Sequence, residues 1–309
     1  MRRIKTAIII GSSGQDGVLL IDKLSLLQYN IIEINKGNFD ITNSLAVSEL
    51  ILRTRPDEIY FLAAYHHSSE DPLIEVQELL QKSLQINTIS LVNFLEAIRI
   101  FSKESKIFYA SSSLIYSSSE DILTENSRID PGCPYSISKV VGMFTCKVYR
   151  SKYGVFASTG ILFNHESVHR KNGFVSKKIS KFIVDIVQGK NAKLKIGNIN
   201  AIVDWGYACD FVDAMHMAMQ LDNSDEFIIA TGIQHTVKEY LEIAFAYVGL
   251  NYEDYTIIDS ETITREPTIR IGDPSKFQYL TGWSTSISFE EMVCKLIDDE
   301  FKAQTIEII

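Results

Sequence analysis

Tyr135 and Lys139 stand four residues apart, so on a helix they share one face. An ammonium beside a phenol favours the ionised phenol, and such a pair can move a proton on or off an alcohol. Just upstream, the apolar run Ile107-Phe108-Tyr109-Ala110 ends in the hydroxyls of Ser111, Ser112 and Ser113. Ser112 and Ser113 are placed to hydrogen-bond the oxygen that the tyrosine protonates or deprotonates. The Tyr-x-x-x-Lys spacing alone is common on solvated helix faces. It gains chemical meaning only beside a cofactor site, which must lie elsewhere in the chain.

That site is expected near the N-terminus. Thr6-Ala7-Ile8-Ile9-Ile10 is a continuous apolar run of the kind buried on both faces of a parallel sheet. It stops at Gly11-Ser12-Ser13-Gly14-Gln15-Asp16-Gly17, and a helical pattern follows through Val18, Leu19, Ile21, Leu24 and Leu27. Glycines let the backbone turn sharply and approach a pyrophosphate, whose charge the free N–H groups of the helix start can bind. Strand before and helix after is the context a dinucleotide motif requires. Gly11, Gly14, Gln15, Asp16 and Gly17 are therefore the candidate cradle.

The next strand, Ile31–Ile34, should end beside the adenosine ribose. An acidic residue there would bind the 2′-hydroxyl, whereas this chain offers Asn35 and then Lys36, which favours NADP over NAD. Asp40-Ile41 follows where a carboxylate could accept from the adenine amino group. The strand Ile59–Leu62 leads to Ala63 and Ala64, small enough for a cofactor to lie close to the backbone. Tyr65, His66 and His67 stand at its lip, within reach of a substrate, although neighbouring histidines are also common as hydrogen-bonded loop residues.

Apolar residues from Leu80 to Ile98 predict one long helix over 77–100 with Asn87 in its middle, available for backbone or proton-relay support. Paired with the Tyr-Lys helix, it could form a subunit contact. Val155–Phe163 reads as a further strand. Alternating strands and helices imply a Rossmann-like doubly wound parallel α/β sheet. The pattern loosens after residue 165. Residues 1–165 are read mainly as the dinucleotide-binding domain, and 166–309 mainly as a smaller, interleaved substrate lobe with segments returning to the first.

A chain of 309 residues has ample length for such a core. Its net charge of -9 comes with no long basic run, which speaks against nucleic acid as a partner. Cys133, Cys146, Cys209 and Cys294 have no metal-ligand spacing and suggest reduced thiols, so no metal is expected. No signal-like leader or membrane span is evident. A cytoplasmic protein is expected.

Several strings now combine into a resemblance: Gly14-Gln15-Asp16-Gly17, Gly160 to Ser167 with Asn164-His165-Glu166-Ser167, Phe174-Val175, Gly197-Asn198, Asp204-Trp205-Gly206 and Gly272-Asp273-Pro274-Ser275-Lys276. In this order they resemble the extended short-chain dehydrogenases/reductases, and within them the GDP-mannose 4,6-dehydratases and the GDP-4-keto-6-deoxymannose reductases. The resemblance implies a bound nicotinamide, Tyr135 as base, and Lys139 holding the nicotinamide ribose and lowering the tyrosine pKa. It also implies a GDP-sugar substrate, with Asn164 at the sugar diphosphate and Val175 and Lys178 near guanine. A late arginine, Arg265 or Arg270, would neutralise phosphate charge. It implies a homodimer or homotetramer as well.

Departures from that family bear on the reaction. In the dehydratases a glutamate after the serine pair moves the C5 proton and helps expel the C6 hydroxyl, but here that position is Leu114. Glu120, Asp121, His66 and His67 are the possible substitutes. Ile202-Val203 replaces a usual basic residue, and Arg265 lies closer to Gly272 than the family spacing has it. Without the glutamate, hydride transfer at C4 survives, which predicts a 4-keto reductase or C4 dehydrogenase serving activated-sugar biosynthesis for surface glycans. A dehydratase with a relocated acid/base, a 4-epimerase and a non-catalytic nucleotide-binding protein remain as alternatives. The sugar could be a hexose or a heptose.

Overall fold

The structure is a computed structural model that describes residues 3–66, 74–119, 122–190, 192–259 and 269–306. The candidate residues His67, Glu120, Asp121 and Arg265 lie outside the described residues. The first half of the chain alternates strand and helix: β1 (Thr6–Ile10), α1 (Gln15–Leu26), β2 (Asn30–Ile34), α2 (Ser44–Thr54), β3 (Glu58–Phe61), α3 (Val76–Leu84), α4 (Ser90–Phe101), β4 (Lys106–Ser112), α5 (Pro134–Tyr153) and β5 (Ala157–Leu162). The second half adds β6 (Asn164–Glu166), α6 (Val175–Val187), β7 (Leu194–Ile196), β8 (Ile202–Tyr207), α7 (Ala208–Gln220), β9 (Glu226–Ile229), β10 (Gln234–Thr236), α8 (Val237–Tyr247), β11 (Thr256–Ile258), α9 (Ser275–Thr281) and α10 (Phe289–Ile306).

The main sheet has the order β2-β1-β3-β4-β5-β9, and every neighbouring pair is parallel. Strands buried on both faces must be apolar throughout, and Ala7 to Ile10 are wholly buried. One face packs Leu20 and Leu24 of α1 and Phe211 to Met219 of α7, while the other packs residues of α2, α4 and α5. The chain leaves β1 for β2 on one side, and β3 pairs on the other. The carboxyl ends of β1 and β3 therefore form the topological switch point where ligands bind in such sheets. The fold is the expected doubly wound α/β sheet.

Strand β9 and helix α7 come from the second half of the chain but complete the first sheet and its core. Helix α9 packs its Phe277 into that same core, and a smaller lobe is built by sheets β10-β8-β6 and β11-β7 packed with α6, α8 and α10. Buried Asp204 on β8 organises its edge: its carboxylate accepts from the N–H groups of Thr231, Gly232 and Gly272. Two loops of the second half are thus tied to one carboxylate.

The helix predicted over 77–100 is not continuous. A π-helical turn, Gln85–Ile89, separates α3 from α4. The extra residue in that turn places Asn87 in the core, wholly buried, instead of leaving it on a helix face. Helix α5 runs as its sequence suggests: Cys133 and Ser136 form a capping box, Pro134 begins the helix, and Gly154 ends it in the left-handed conformation at φ +67°.

Candidate active site

Gly11 turns the chain at φ +95°, and a Cβ on it would meet the Ala63 nitrogen at 2.7 Å. The loop after β1 therefore touches the end of β3, as close backbone passage at the switch point requires. A Cβ on Gly17 would lie 2.3 Å from the Gly11 carbonyl oxygen, so α1 also starts hard against the turn. Gly14 stands at the N-cap without a side-chain cap, leaving that helix start suited to a phosphate. This cradle fits a dinucleotide.

Gln15 and Asp16 do something the motif alone does not reveal. Gln15 donates to the His165 carbonyl at 3.0 Å and accepts from Ser167 at 2.9 Å. The Asp16 carboxylate meets His165 Nε2 at 3.0 Å, while His165 Nδ1 lies 2.7 Å from the Phe163 carbonyl. Their side chains lock the glycine turn to the stretch around β6. Burial opposes the charge on Asp16, but the imidazolium outweighs it and holds the carboxyl down to about 2. His165 is correspondingly raised: burial opposes its charge, and Asp16 outweighs that.

Lys36 is exposed on the loop after β2, where Asn35 reaches Ser12 of the glycine turn at 3.4 Å. Asp40 accepts from the Thr42 N–H and hydroxyl at 2.9 and 2.7 Å, which lowers its pKa. Ile41 is buried, and its carbonyl takes a hydrogen bond from Asn93. Ala63 and Ala64 sit at the carboxyl end of β3, as the sequence placed them.

The proton-transfer group assembles from β4, α5 and the π-helical turn. Lys139 is 1% exposed and donates to the Ala110 carbonyl at 2.6 Å. Its ammonium lies 4.9 Å from the Tyr109 ring centre and 5.6 Å from that of Tyr135. Burial lowers it to about 7, against the pull of Asp16. Burial likewise pushes Tyr135 up to about 12, opposed by a hydrogen bond to Ser112 and by the charge of Arg170. Burial thus favours the protonated form of the phenol. Ser113 is buried in the short 3₁₀ turn Ser113–Ile115, and that turn also contains Leu114, whose N–H donates to the Ser112 hydroxyl.

Asn87 joins these pieces. Its side chain accepts from the Tyr65 N–H at 2.7 Å and donates to the Tyr65 carbonyl at 3.2 Å and the Ser138 hydroxyl at 2.9 Å. Ser138 donates in turn to the Tyr135 carbonyl at 2.6 Å, and the Tyr109 hydroxyl donates to the Asn87 carbonyl at 3.0 Å. His66 then meets Tyr135 ring against ring, with centres 4.8 Å apart and planes at 85°.

From the smaller lobe, Phe174 faces His66 at 6.2 Å, and the Arg170 guanidinium lies 3.7 Å over the Phe174 ring. Arg170 also pairs with Glu166 at 3.2 Å. Asn164 starts β6, Val175 starts α6, and the half-buried Lys178 follows one turn later with its pKa lowered by burial. Arg270 donates to the Tyr116 carbonyl at 2.9 Å. Arg170 was not singled out from the sequence; its signal is its place just after the Asn-His-Glu-Ser string.

A serine, tyrosine and lysine at the carboxyl end of a doubly wound sheet define an extended short-chain dehydrogenase/reductase. Residues 33–296 match the GDP-mannose 4,6 dehydratase family, and the chain belongs to it. It is 32% identical to GDP-mannose 4,6 dehydratase 2 of Arabidopsis thaliana, over 96% of this chain and 87% of that protein. Its identity to GDP-mannose 4,6-dehydratase of Vibrio cholerae serotype O1 is 28%, over 96% and 94% of the two chains. Among solved structures, it is similar to RMD from Pseudomonas aeruginosa complexed with NADPH, with a TM-score of 0.84, 19% identity and coverage of 97% and 98%. It is also similar to dTDP-glucose 4,6-dehydratase from Bacillus anthracis in complex with NAD, with a TM-score of 0.81, 16% identity and coverage of 98% of both chains. Among the described residues, no helix is long and apolar enough to cross a membrane and no acidic, histidine or cysteine cluster could hold a metal.

Proposed function

We propose that this protein is a nicotinamide-dependent oxidoreductase acting at C4 of a GDP-mannose-type nucleotide sugar, as a 4-keto reductase or C4 dehydrogenase in activated-sugar biosynthesis for surface glycans. The observation that carries the reading is the half-buried Tyr135 hydrogen-bonded to Ser112 beside buried Lys139, with Leu114 in the adjoining turn. A bound nicotinamide supplies the hydride donor or acceptor. Tyr135 gives its proton to the C4 oxygen or takes it back, Ser112 orients that oxygen, and Lys139 holds the ribose and shares the charge that develops on the phenol. Leucine at position 114 cannot carry a proton, so hydride transfer is the chemistry these residues support without an added acid/base.

Gly11, Gly14 and Gly17 would receive the pyrophosphate, with Asp40 and Ile41 at the adenine and Ala63 and Ala64 under the cofactor. NADP is favoured because Asn35 and Lys36 stand where an acidic residue would exclude a 2′-phosphate. Asn164, Val175, Lys178 and Arg270 are assigned to the GDP-sugar. An exposed apolar stripe on α5, Ile137, Val141, Phe144 and Val148, supports a homodimer or homotetramer formed through that helix.

A second reading, GDP-mannose 4,6-dehydratase with the acid/base relocated from position 114, is favoured by the family match across most of the chain. Mass spectrometry of products from GDP-mannose and from GDP-4-keto-6-deoxymannose decides between them. Reduction of the ketone with NADPH or NADH, lost in Tyr135→Phe, is the expected result. Loss of water from GDP-mannose with no net change in cofactor would favour the second reading, and cofactor binding without turnover of any GDP-sugar would leave a binding protein.

A further inference from the structure

We propose that His66 is a catalytic acid/base acting on the carbon next to C4 of the bound sugar; the inference rests on the C4-ketone reading above. Asn87 clamps both sides of the Tyr65 peptide and, through Ser138, the carbonyl of Tyr135. His66 and Tyr135 thus leave the backbone from one rigid buried joint, and their rings meet at 4.8 Å. A sugar whose C4 oxygen touches the Tyr135 hydroxyl places its neighbouring carbon only about 1.5 Å from C4, on a ring that the imidazole flanks. The Phe174 ring is stacked with His66 at 6.2 Å.

The nearby described carboxylates are committed elsewhere. Asp16 pairs with His165 and takes a hydrogen bond from Gln15, and Glu166 pairs with Arg170 and accepts from Ser176 at 2.5 Å. Imidazole is the side chain suited to take and return a proton near neutral pH. The C4 ketone acidifies the C5 hydrogen. His66 removes that proton, and the C5–H electron pair forms the C4–C5 double bond of an enolate whose oxygen accepts from Tyr135. Return of the proton to C5 is exchange. Where C6 carries a hydroxyl, the enolate pair re-forms the C4 carbonyl, the C4–C5 electrons make C5=C6, and imidazolium protonates the leaving hydroxyl as water. Neither course changes the oxidation state of the protein.

The test is deuterium uptake at C5 of GDP-4-keto-6-deoxymannose in D2O, followed by NMR against an enzyme-free control. Starting from the ketone makes this readout independent of hydride transfer. Transfer at C4 is followed separately with deuterated NADPH, and NADPH binding is checked for each variant. The wild type should exchange C5–H above the control, and His66→Phe, which keeps a ring in place, should lose that exchange roughly 100-fold or more, a far larger loss than any it shows in C4 transfer. His66→Asn should behave alike. C5 exchange without C4 transfer would sink the C4 reading and leave His66 standing. Wild-type exchange no faster than the control, or undiminished exchange in either variant, would overturn the proposal. Equal loss of both activities with NADPH binding intact would also overturn it, since His66 would then only position Tyr135.

Discussion

Replacing Asp16 with asparagine removes the anion that joins the glycine turn to His165 on β6. His165 presents one ring nitrogen to the Phe163 carbonyl and the other to the Asp16 carboxylate. Both partners are acceptors, so only the imidazolium donates to both. The fall of Asp16 from an ordinary value of 3.8 to about 2 corresponds to about 2 kcal/mol. The lowered Asp16 contributes stability that is present above its unfolded value and lost as pH falls from 3.8 through about 2. The raised His165 contributes below its unfolded value of 6.5, and that part is lost as pH rises through its higher folded value. Denaturant unfolding of wild type and Asp16→Asn at about pH 6 should differ by about 2 kcal/mol, and the difference should shrink at an alkaline pH where His165 has lost its proton. Asparagine can bond to a neutral imidazole, so the variant should carry little of this pH dependence. A gap that is equal at both pH values, or absent at the lower one, would refute the charged pair.

Gly17→Ala should weaken NADPH binding by about 10-fold or more, because its Cβ would sit 2.3 Å from the Gly11 carbonyl oxygen and backbone would have to move; unchanged affinity in a fluorescence titration would count against this cradle. Asn87→Ala leaves the Tyr65 N–H without its side-chain acceptor and should cost about 1–3 kcal/mol in unfolding free energy, whereas a loss below about 1 kcal/mol would mean that the joint is not rigid. Phe144→Asp, on the exposed stripe of α5, should yield a monomer in light scattering with little change in melting temperature; an intact oligomer would exclude that face as the contact.

Local strings announced what they do with their own backbone. The apolar run before Gly11, the spacing of Tyr135 and Lys139, and the serines after Tyr109 each encode a strand end, a helix face or a turn, and each stands where its pattern places it. The partners were less legible because they come from remote strings. Gln15 and Asp16 read as cofactor ligands, yet their side chains engage His165 and Ser167, about 150 residues away in sequence. Periodicity cannot register such a pairing, since each string is complete in itself.

The Asn87 joint was hidden for a different reason. The apolar positions from Leu80 to Ile98 fit one helix, and a single π-helical turn barely disturbs that pattern while rotating one polar residue inward. Burying an asparagine requires partners for its amide, and these are the Tyr65 peptide and Ser138, the two places from which His66 and Tyr135 emerge. The irregular turn therefore bears on the candidate site as well as on packing. It ties the backbone that carries the imidazole and the phenol to a buried hydrogen-bond network, so the contact between the two rings is anchored in the core.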